Sequence, residues 1–335
     1  MTDNKFTIIS GNDVEVWIKE NKEKIIEIIK KTYCLFSDGM VTNPDSYFLR
    51  FPDSDKNRII ALPASIEHGN KVAGIKWVSS FPDNIQHGLN RASAVVILND
   101  RNTGYPIACI EGSQISSART ATSAIIGAEY LHQEKRCDQL AVIGTGLISF
   151  SIVEYLYSTG WKIENIVVSD LSETNAAKFI SYCKQKLGIE AKYLDTTDAI
   201  SQSDLIIFAT SAVSPHIVDP ALFSHNPTVL HISLRDLSTD IILKAENYVD
   251  DISHAVKAHT SLHLTAEETR DTKFIKGSIS DLIRGKVKPD KTKLRIYSPF
   301  GMGMLDIAVA ENIYSDLKDI SGITISNFHP LPVMR

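Results

Sequence analysis

No run in this chain of 335 residues approaches the ~18 consecutive apolar residues that a membrane-crossing helix needs. The opening residues, Met1-Thr2-Asp3-Asn4-Lys5, carry no apolar leader segment, so no signal peptide is expected. Cysteine is scarce. Cys34, Cys109, Cys137 and Cys183 are scattered, three of them in apolar or helical contexts. That pattern argues against a disulfide framework or a cysteine zinc site and reads as reduced thiols in a cytoplasmic protein. Charge of one sign does not accumulate either. The net charge of −5 is spread without long runs, which leaves no footprint for a nucleic acid or a membrane surface. Internal repeats and low-complexity segments are missing. What remains is 43% hydrophobic and 22% charged residues, with length for about two domains: an ordinary globular composition.

Residues 140–170 carry the most organised pattern. An apolar run, Leu140-Ala141-Val142-Ile143, leads into Gly144-Thr145-Gly146-Leu147-Ile148-Ser149. A helical segment follows to Thr159, and a second apolar run, Ile166-Val167-Val168, ends in Ser169-Asp170. Strand, glycine turn, helix, strand and acid in this order fit a dinucleotide-binding βαβ unit. Gly144 permits the tight turn. Gly146 lets the backbone approach a pyrophosphate whose charge meets the helix N-terminus. Asp170 stands where a carboxylate accepts the ribose hydroxyls and repels a 2′-phosphate, which favours NAD over NADP. The third small position is Ser149 rather than Gly or Ala, a departure that a small side chain tolerates. The plainer alternative is a strand-to-helix turn in some other α/β domain.

Residues 13–31 place Val14, Trp17, Ile18, Ile25, Ile26, Ile28 and Ile29 at helical spacing, which predicts one amphipathic helix. Short β-rich runs follow at 46–51, 58–62, 72–78, 92–98 and 106–111, separated by turn formers such as Pro52-Asp53 and His68-Gly69-Asn70. This half reads as α+β with a mainly antiparallel sheet. A helix is expected over 113–131, and its small hydroxyl residues suit close approach of a ligand or of another packed surface. Beyond 140, strand candidates at 191–194, 205–210, 229–233, 248–251 and 294–298 alternate with helical patterns. That alternation implies a parallel sheet with helices on both faces. Phe300-Gly301-Met302-Gly303 interrupts the chain before a last helix over 304–320. The tail 323–335, with Pro330 and Pro332, is expected to lie along the first domain.

Three cations occur among apolar neighbours or ahead of the nucleotide-binding half: Lys76 in the run 72–78, Arg50 between Leu49 and Phe51, and Arg119 in the 113–131 helix. Either each points to a wet face, or together they make a pocket for carboxylates, with Arg offering a bidentate fork and Lys a point charge. Asp236 follows the strand candidate 229–233, at the end where doubly wound sheets bind ligands. It is a candidate general acid or base, or a helix-capping acid. His254, His259 and His263 invite a metal, since His259 and His263 are four apart. No cysteine or acid completes a set at ligand spacing, so no metal is expected and these read as surface helix residues.

At these residues the chain resembles the ornithine cyclodeaminase/μ-crystallin family over essentially its full length. The segments that carry the resemblance are Gly74-Ile75-Lys76-Trp77-Val78, Gly104-Tyr105-Pro106, Arg119-Thr120-Ala121, the 144–149 turn and residues 298–306. Within the family, Asn57-Arg58-Ile59-Ile60-Ala61-Leu62-Pro63, Arg91-Ala92-Ser93, Ile97-Leu98-Asn99-Asp100 and Pro299-Phe300-Gly301-Met302 look most like the N-(2-amino-2-carboxyethyl)-L-glutamate dehydrogenase branch. The resemblance implies a Rossmann-type doubly wound parallel sheet, residues 131–303, inserted into an α+β substrate-binding and dimerisation domain, residues 1–130 with 304–335. It also implies NAD, a small amino-acid substrate and a homodimer. Arg50, Lys76 and Arg119 match the family's substrate-carboxylate binders, and Asp236 matches its catalytic acid. Lys76 shares the proton work if Arg50 and Arg119 lower its pKa. Thr120, Ala121, Thr210, Ser211, Ser298 and Gly301 join Gly144, Thr145, Gly146, Leu147, Ile148 and Asp170 as expected cofactor contacts.

Two departures stand out. Ile60 occupies the position where ornithine cyclodeaminases carry a Glu for the substrate's distal amine, which disfavours ornithine cyclisation. Leu305 precedes Asp306, where many relatives have an acidic pair. The reaction that the resemblance implies is NAD-dependent oxidative hydrolysis of N-(2-amino-2-carboxyethyl)-L-glutamate to L-2,3-diaminopropionate and α-ketoglutarate, supplying a siderophore or peptide-antibiotic pathway. The alternatives are ornithine cyclodeaminase or another amino- or imino-acid dehydrogenase of the family, and a nucleotide-dependent binding protein without turnover, as μ-crystallin is.

Overall fold

A computed structural model describes residues 5–330 of the chain. It opens with β1 (Phe6–Ile9), α1 (Gly11–Glu20) and α2 (Lys22–Ser37). Then come β2 (Val41–Thr42), β3 (Tyr47–Phe51), β4 (Ser54–Ile66), β5 (Val72–Ser80), β6 (Ala92–Asp100), β7 (Pro106–Glu111) and α3 (Ser113–His132). Next are β8 (Arg136–Ile143), α4 (Leu147–Ser158), β9 (Lys162–Ser169), α5 (Glu173–Tyr182), β10 (Ala191–Tyr193), α6 (Thr196–Ser201) and β11 (Leu205–Phe208). They are followed by β12 (Thr228–His231), α7 (Thr239–Lys244), β13 (Glu246–Val249), α8 (Ile252–Ala255), α9 (Ser261–Thr269), β14 (Ile275–Ser278) and α10 (Ile279–Ile283). The chain closes with β15 (Arg295–Ser298), α11 (Gly303–Leu317) and β16 (Ile323–Ile325). It forms two compact units: one runs to Arg119 and resumes at Met302, and the other is Thr120–Gly301. The divisions fall inside α3 and just before α11, earlier than the expected 130/131 and 303/304.

In the first unit the sheet order is β16-β1-β7-β6-β5-β4-β2, with β3 paired to β4. Every pairing is antiparallel except β1 with β7. α11 packs on β4, β5 and β6, and its first eight positions, from Gly303 to Ala310, are all buried. The single helix expected over 13–31 is two helices that meet at Asn21. Its carboxamide donates to Trp17 O at 2.8 Å, and its own carbonyl accepts from Ile25 N at 2.9 Å, so one residue closes α1 and starts α2. The short strands β1, β2 and β16 are additions to the predicted set. In the tail, β16 pairs with β1, the Phe328 ring stacks on Phe6 at 4.3 Å, and His329 Nε2 donates to Pro106 O at 2.8 Å. Residues 323–330 thus lie along the first unit; the expectation for 331–335, Pro332 included, lies outside the described residues.

In the second unit the order is β10-β9-β8-β11-β12-β15-β13-β14, parallel throughout. β11, β12, β13 and β15 are buried at every position, as strands covered on both faces must be. The strand β14, Ile275-Lys276-Gly277-Ser278, is too short and polar to stand out in the sequence. Strand order reverses between β8 and β11: β9 and β10 extend one way, and β12 onward the other. Such a reversal opens a crevice at the carboxyl ends of the strands. Among the described residues no helix is long and apolar enough to cross a membrane.

Candidate functional site

β8 ends at Ile143 and α4 begins at Leu147, so residues 144–146 make the whole connection. Gly144 has φ +86°, and a Cβ there would stand 2.7 Å from Ala209 O, so a side chain is excluded twice over. Gly146, the N-cap of α4, is different. A Cβ there would meet nothing within 4 Å, and no side chain caps the helix. The first N–H groups of α4 therefore open onto a cradle that only glycine leaves empty, which fits a pyrophosphate. Leu147 is exposed and Ile148 half-buried beside it. Ser149 turns inward and donates to Gly144 O at 2.5 Å, which explains how serine serves as the third small residue.

Asp170 closes β9. One of its oxygens accepts both the N–H and the hydroxyl of Thr145, at 2.7 and 2.6 Å, and the other accepts Ser172 N–H at 2.8 Å. The expected ribose carboxylate is thus first a brace for the glycine turn. Of about four acceptor positions on a carboxylate, three are used internally.

Asp236 is wholly buried. It accepts hydrogen bonds from Thr210 Oγ1 at 2.5 Å, from the Ser233 hydroxyl and from His231 Nε2 at 3.2 Å. Burial pushes its carboxyl up, but His231, Ser233 and Thr210 together outweigh that and hold it at about 2. Near neutral pH this holds Asp236 as a buried carboxylate, the ionised form of the expected acid or base. Of the expected cofactor contacts, Ala121, Thr145 and Ser298 are also buried. Ser298 Oγ lies 3.3 Å from His231 Nδ1. Thr120 and Thr210 are half-buried, and Ser211 is exposed. Gly301, at φ +90°, donates its N–H to Asp250 Oδ2 at 2.7 Å, and Phe300 N–H reaches the other oxygen at 3.0 Å.

In the first unit, Lys76 is on the face of β5 that meets α11, and 2% of it is exposed. Nζ donates to Asp306 Oδ2 at 2.7 Å and to Ser116 Oγ at 3.0 Å. Arg119 Nε donates to the other oxygen, Asp306 Oδ1, at 3.2 Å. Burial pulls the Lys76 amine down to about 8; Asp306 opposes the fall and Arg119 adds to it. Arg50 is not part of this group. It lies exposed on β3, with its guanidinium 5.4 Å from the Phe48 ring, so the expected contribution of Arg50 to Lys76 is replaced by burial and Arg119.

Ser116, His231, Ser233, Asp250 and Asp306 carry structural parts in these sites that the sequence reading does not assign. Asp306 had a visible signal, a lone acid inside the apolar run 302–310. The histidine reading also needs correction. Glu267, one turn beyond His263, does complete a group with His259 and His263, whose ligand atoms lie within 4.8 Å of one another. His263 Nδ1 accepts the His259 N–H at 3.1 Å, which leaves its proton on Nε2, the nitrogen that faces Glu267 at 3.6 Å.

Residues 8–321 match the ornithine cyclodeaminase/mu-crystallin family. The chain belongs to this family. An N-((2S)-2-amino-2-carboxyethyl)-L-glutamate dehydrogenase from Staphylococcus aureus is 31% identical over 270 residues, 78% of this chain and 80% of that protein. The solved structure of an archaeal alanine dehydrogenase dimer with bound NAD has a TM-score of 0.85 at 25% identity, covering 97% of this chain and all of its own (100%). The Δ1-pyrroline-2-carboxylate reductase of Thermococcus litoralis, solved with NADH and L-proline, shares the fold, with a TM-score of 0.87 at 23% identity over 96% of this chain and 100% of that one.

Proposed function

We propose that this protein catalyses the oxidative hydrolysis of N-(2-amino-2-carboxyethyl)-L-glutamate to L-2,3-diaminopropionate and α-ketoglutarate. The chain is an oxidoreductase that acts on the CH–NH bond of amino or imino acids, with NAD as its cofactor. The observation that carries the finer reading is the 31% identity to the Staphylococcus aureus enzyme over 78% of the chain. The apolar Ile60 supports it, because a distal ammonium finds no carboxylate there.

In this reading the unit containing Lys76 binds substrate and the unit containing the glycine turn holds NAD, through the α4 N-terminus, Asp170 and the loops at Thr210 and Gly301. The substrate carries three carboxylates. Arg119 uses only Nε on Asp306, so the outer edge of its guanidinium serves one of them as a fork. Bound NAD supplies the acceptor for the hydride on the glutamate Cα. Before that bond can break, the secondary ammonium must lose a proton, and Lys76, with its amine at about 8, takes it. Water then adds to the C=N carbon. The added water gives one proton to solvent, Lys76 returns its proton to the nitrogen, and the C–N bond breaks as the hydroxyl releases its remaining proton, leaving the ketone and the free amine. Asp236 works by position, holding Thr210, Ser233 and His231 in one arrangement.

The assembly is a homodimer in this reading, formed through the face of β5 opposite Lys76, where Ile75 and Trp77 remain partly exposed. The work is placed in the cytoplasm, and the amine product supplies siderophore or peptide-antibiotic assembly. The test is NADH formation with this substrate against ornithine, alanine and proline. kcat/KM for the proposed substrate is expected to exceed the others by about 10²-fold or more. An equal or higher value for alanine, proline or ornithine overturns it.

A further inference from the structure

We propose that Asp306 is the positioning residue of the substrate site: with one oxygen on Lys76 Nζ and the other on Arg119 Nε, it fixes where the Lys76 lone pair and the outer edge of Arg119 point. The proposal rests on the reading of Lys76 and Arg119 as substrate contacts. A neutral lysine amine has two N–H bonds and one lone pair. Asp306 Oδ2 at 2.7 Å and Ser116 Oγ at 3.0 Å take the two N–H bonds, so the lone pair has one direction left. A flexible four-carbon side chain would otherwise leave that direction free. Arg119 is held by its inner nitrogen, which leaves the terminal pair for a carboxylate.

The fold builds this deliberately. Asp306 is in the first turn of α11 with no exposed surface, surrounded in sequence by Met302, Met304, Leu305 and Ile307, all buried apolar residues. Burying a carboxylate there is costly unless both its oxygens are bonded, and the two cations do that. The charged groups that face Lys76 are Asp306 from α11 and Arg119 from α3, with the uncharged Ser116 beside them. Its register neighbours, Leu62 on β4 and Val96 on β6, carry no charge. Removing the Asp306 charge leaves two buried cations together, and the lysine is the one able to lose its proton.

The test reads Lys76 directly. In protein carrying 13C at the lysine Cε, the Lys76 signal is assigned by its loss in Lys76→Arg and titrated without substrate. Asp306→Asn is expected to lower its midpoint by about 1 pH unit or more, a tenfold loss of proton affinity, while NADH binding stays intact. The acid limb of the kcat/KM profile should move with it. Asp306→Glu keeps the charge but shifts it by one methylene. The Lys76 midpoint should stay close to the wild-type value while kcat falls about tenfold or more. An unmoved Lys76 midpoint in Asp306→Asn, or full kcat in Asp306→Glu, overturns the proposal and makes Asp306 a helix-end acid. If Asp306→Asn does not fold, the kcat of Asp306→Glu decides. A shifted midpoint in protein that turns over no candidate amine leaves the positioning intact and removes the substrate reading instead.

Discussion

Thr145 donates its backbone N–H and its hydroxyl to a single oxygen of Asp170, at 2.7 and 2.6 Å, and so ties the glycine turn to the end of the neighbouring strand. In the proposed reading, cofactor affinity depends on Asp170 in two ways, through the ribose and through the shape of the turn. Asp170→Ala is expected to raise the KM for NAD about tenfold or more, since hydrogen bonds to a charged group contribute roughly 1.5–3 kcal/mol. Thr145→Val, which removes only the hydroxyl, should raise it less. Equal KM values for Asp170→Ala and wild type would show that the brace is idle.

The two glycines of the turn should fail differently. Gly144→Ala meets both a positive φ and the Ala209 carbonyl, so it is expected to destabilise the protein by at least about 1–3 kcal/mol in denaturant unfolding. Gly146→Ala has open space and ordinary backbone, so stability should hold while NADH binding, read by fluorescence, is lost. Gly146→Ala protein that binds NADH normally would remove the pyrophosphate from that cradle.

Lys76 should leave a mark on stability as a function of pH. Its amine is depressed from 10.5 to about 8 in the folded protein, so between those values the unfolded chain holds a proton that the folded one lacks. Stability contributed by Lys76 therefore rises with pH across that window, by up to about 1.4 kcal/mol per pH unit, and is lost as pH falls through 8. Urea unfolding of wild type minus Lys76→Met at pH 8 and pH 10 isolates it. A difference that does not change between the two values contradicts the buried amine.

Asp236 and Lys76 make opposite claims on the pH–rate profile. Asp236 is held at about 2 and the Lys76 amine at about 8, so in the proposed reading an acid limb near 8 is expected from Lys76. Asp236→Asn is expected to lower kcat roughly 10–100-fold by loosening Thr210 and Ser233, with the limb unmoved. Loss of that limb in Asp236→Asn would make Asp236 the titrating group.

The glycine turn and the parallel strands were legible in the sequence because local chemistry and burial reinforce each other there: Val142 and Ile143 lead straight into a turn that only glycine can make. The break at Asn21 was not legible, because the apolar spacing continues across it and only the carboxamide bond to Trp17 reveals the stop. β1, β2, β14 and β16 are three or four residues long, or shorter, and depend on partners distant in sequence. In the site, the burial of Lys76 could be suspected from its neighbours, but its partner lies 230 positions away. Asp170 and Asp236 were visible as acids at strand ends. How much of each carboxylate is consumed by hydrogen bonds inside the protein depends on Thr145, Thr210 and His231, and no spacing rule reports that.

The most direct measurement is a single reaction containing the protein, NAD⁺ and N-(2-amino-2-carboxyethyl)-L-glutamate, followed at 340 nm with α-ketoglutarate and L-2,3-diaminopropionate assayed at the end. NADH, α-ketoglutarate and diaminopropionate are expected in equimolar amounts. No NADH from this amine, in protein that binds NADH and oxidises alanine or proline, would contradict the proposed reaction.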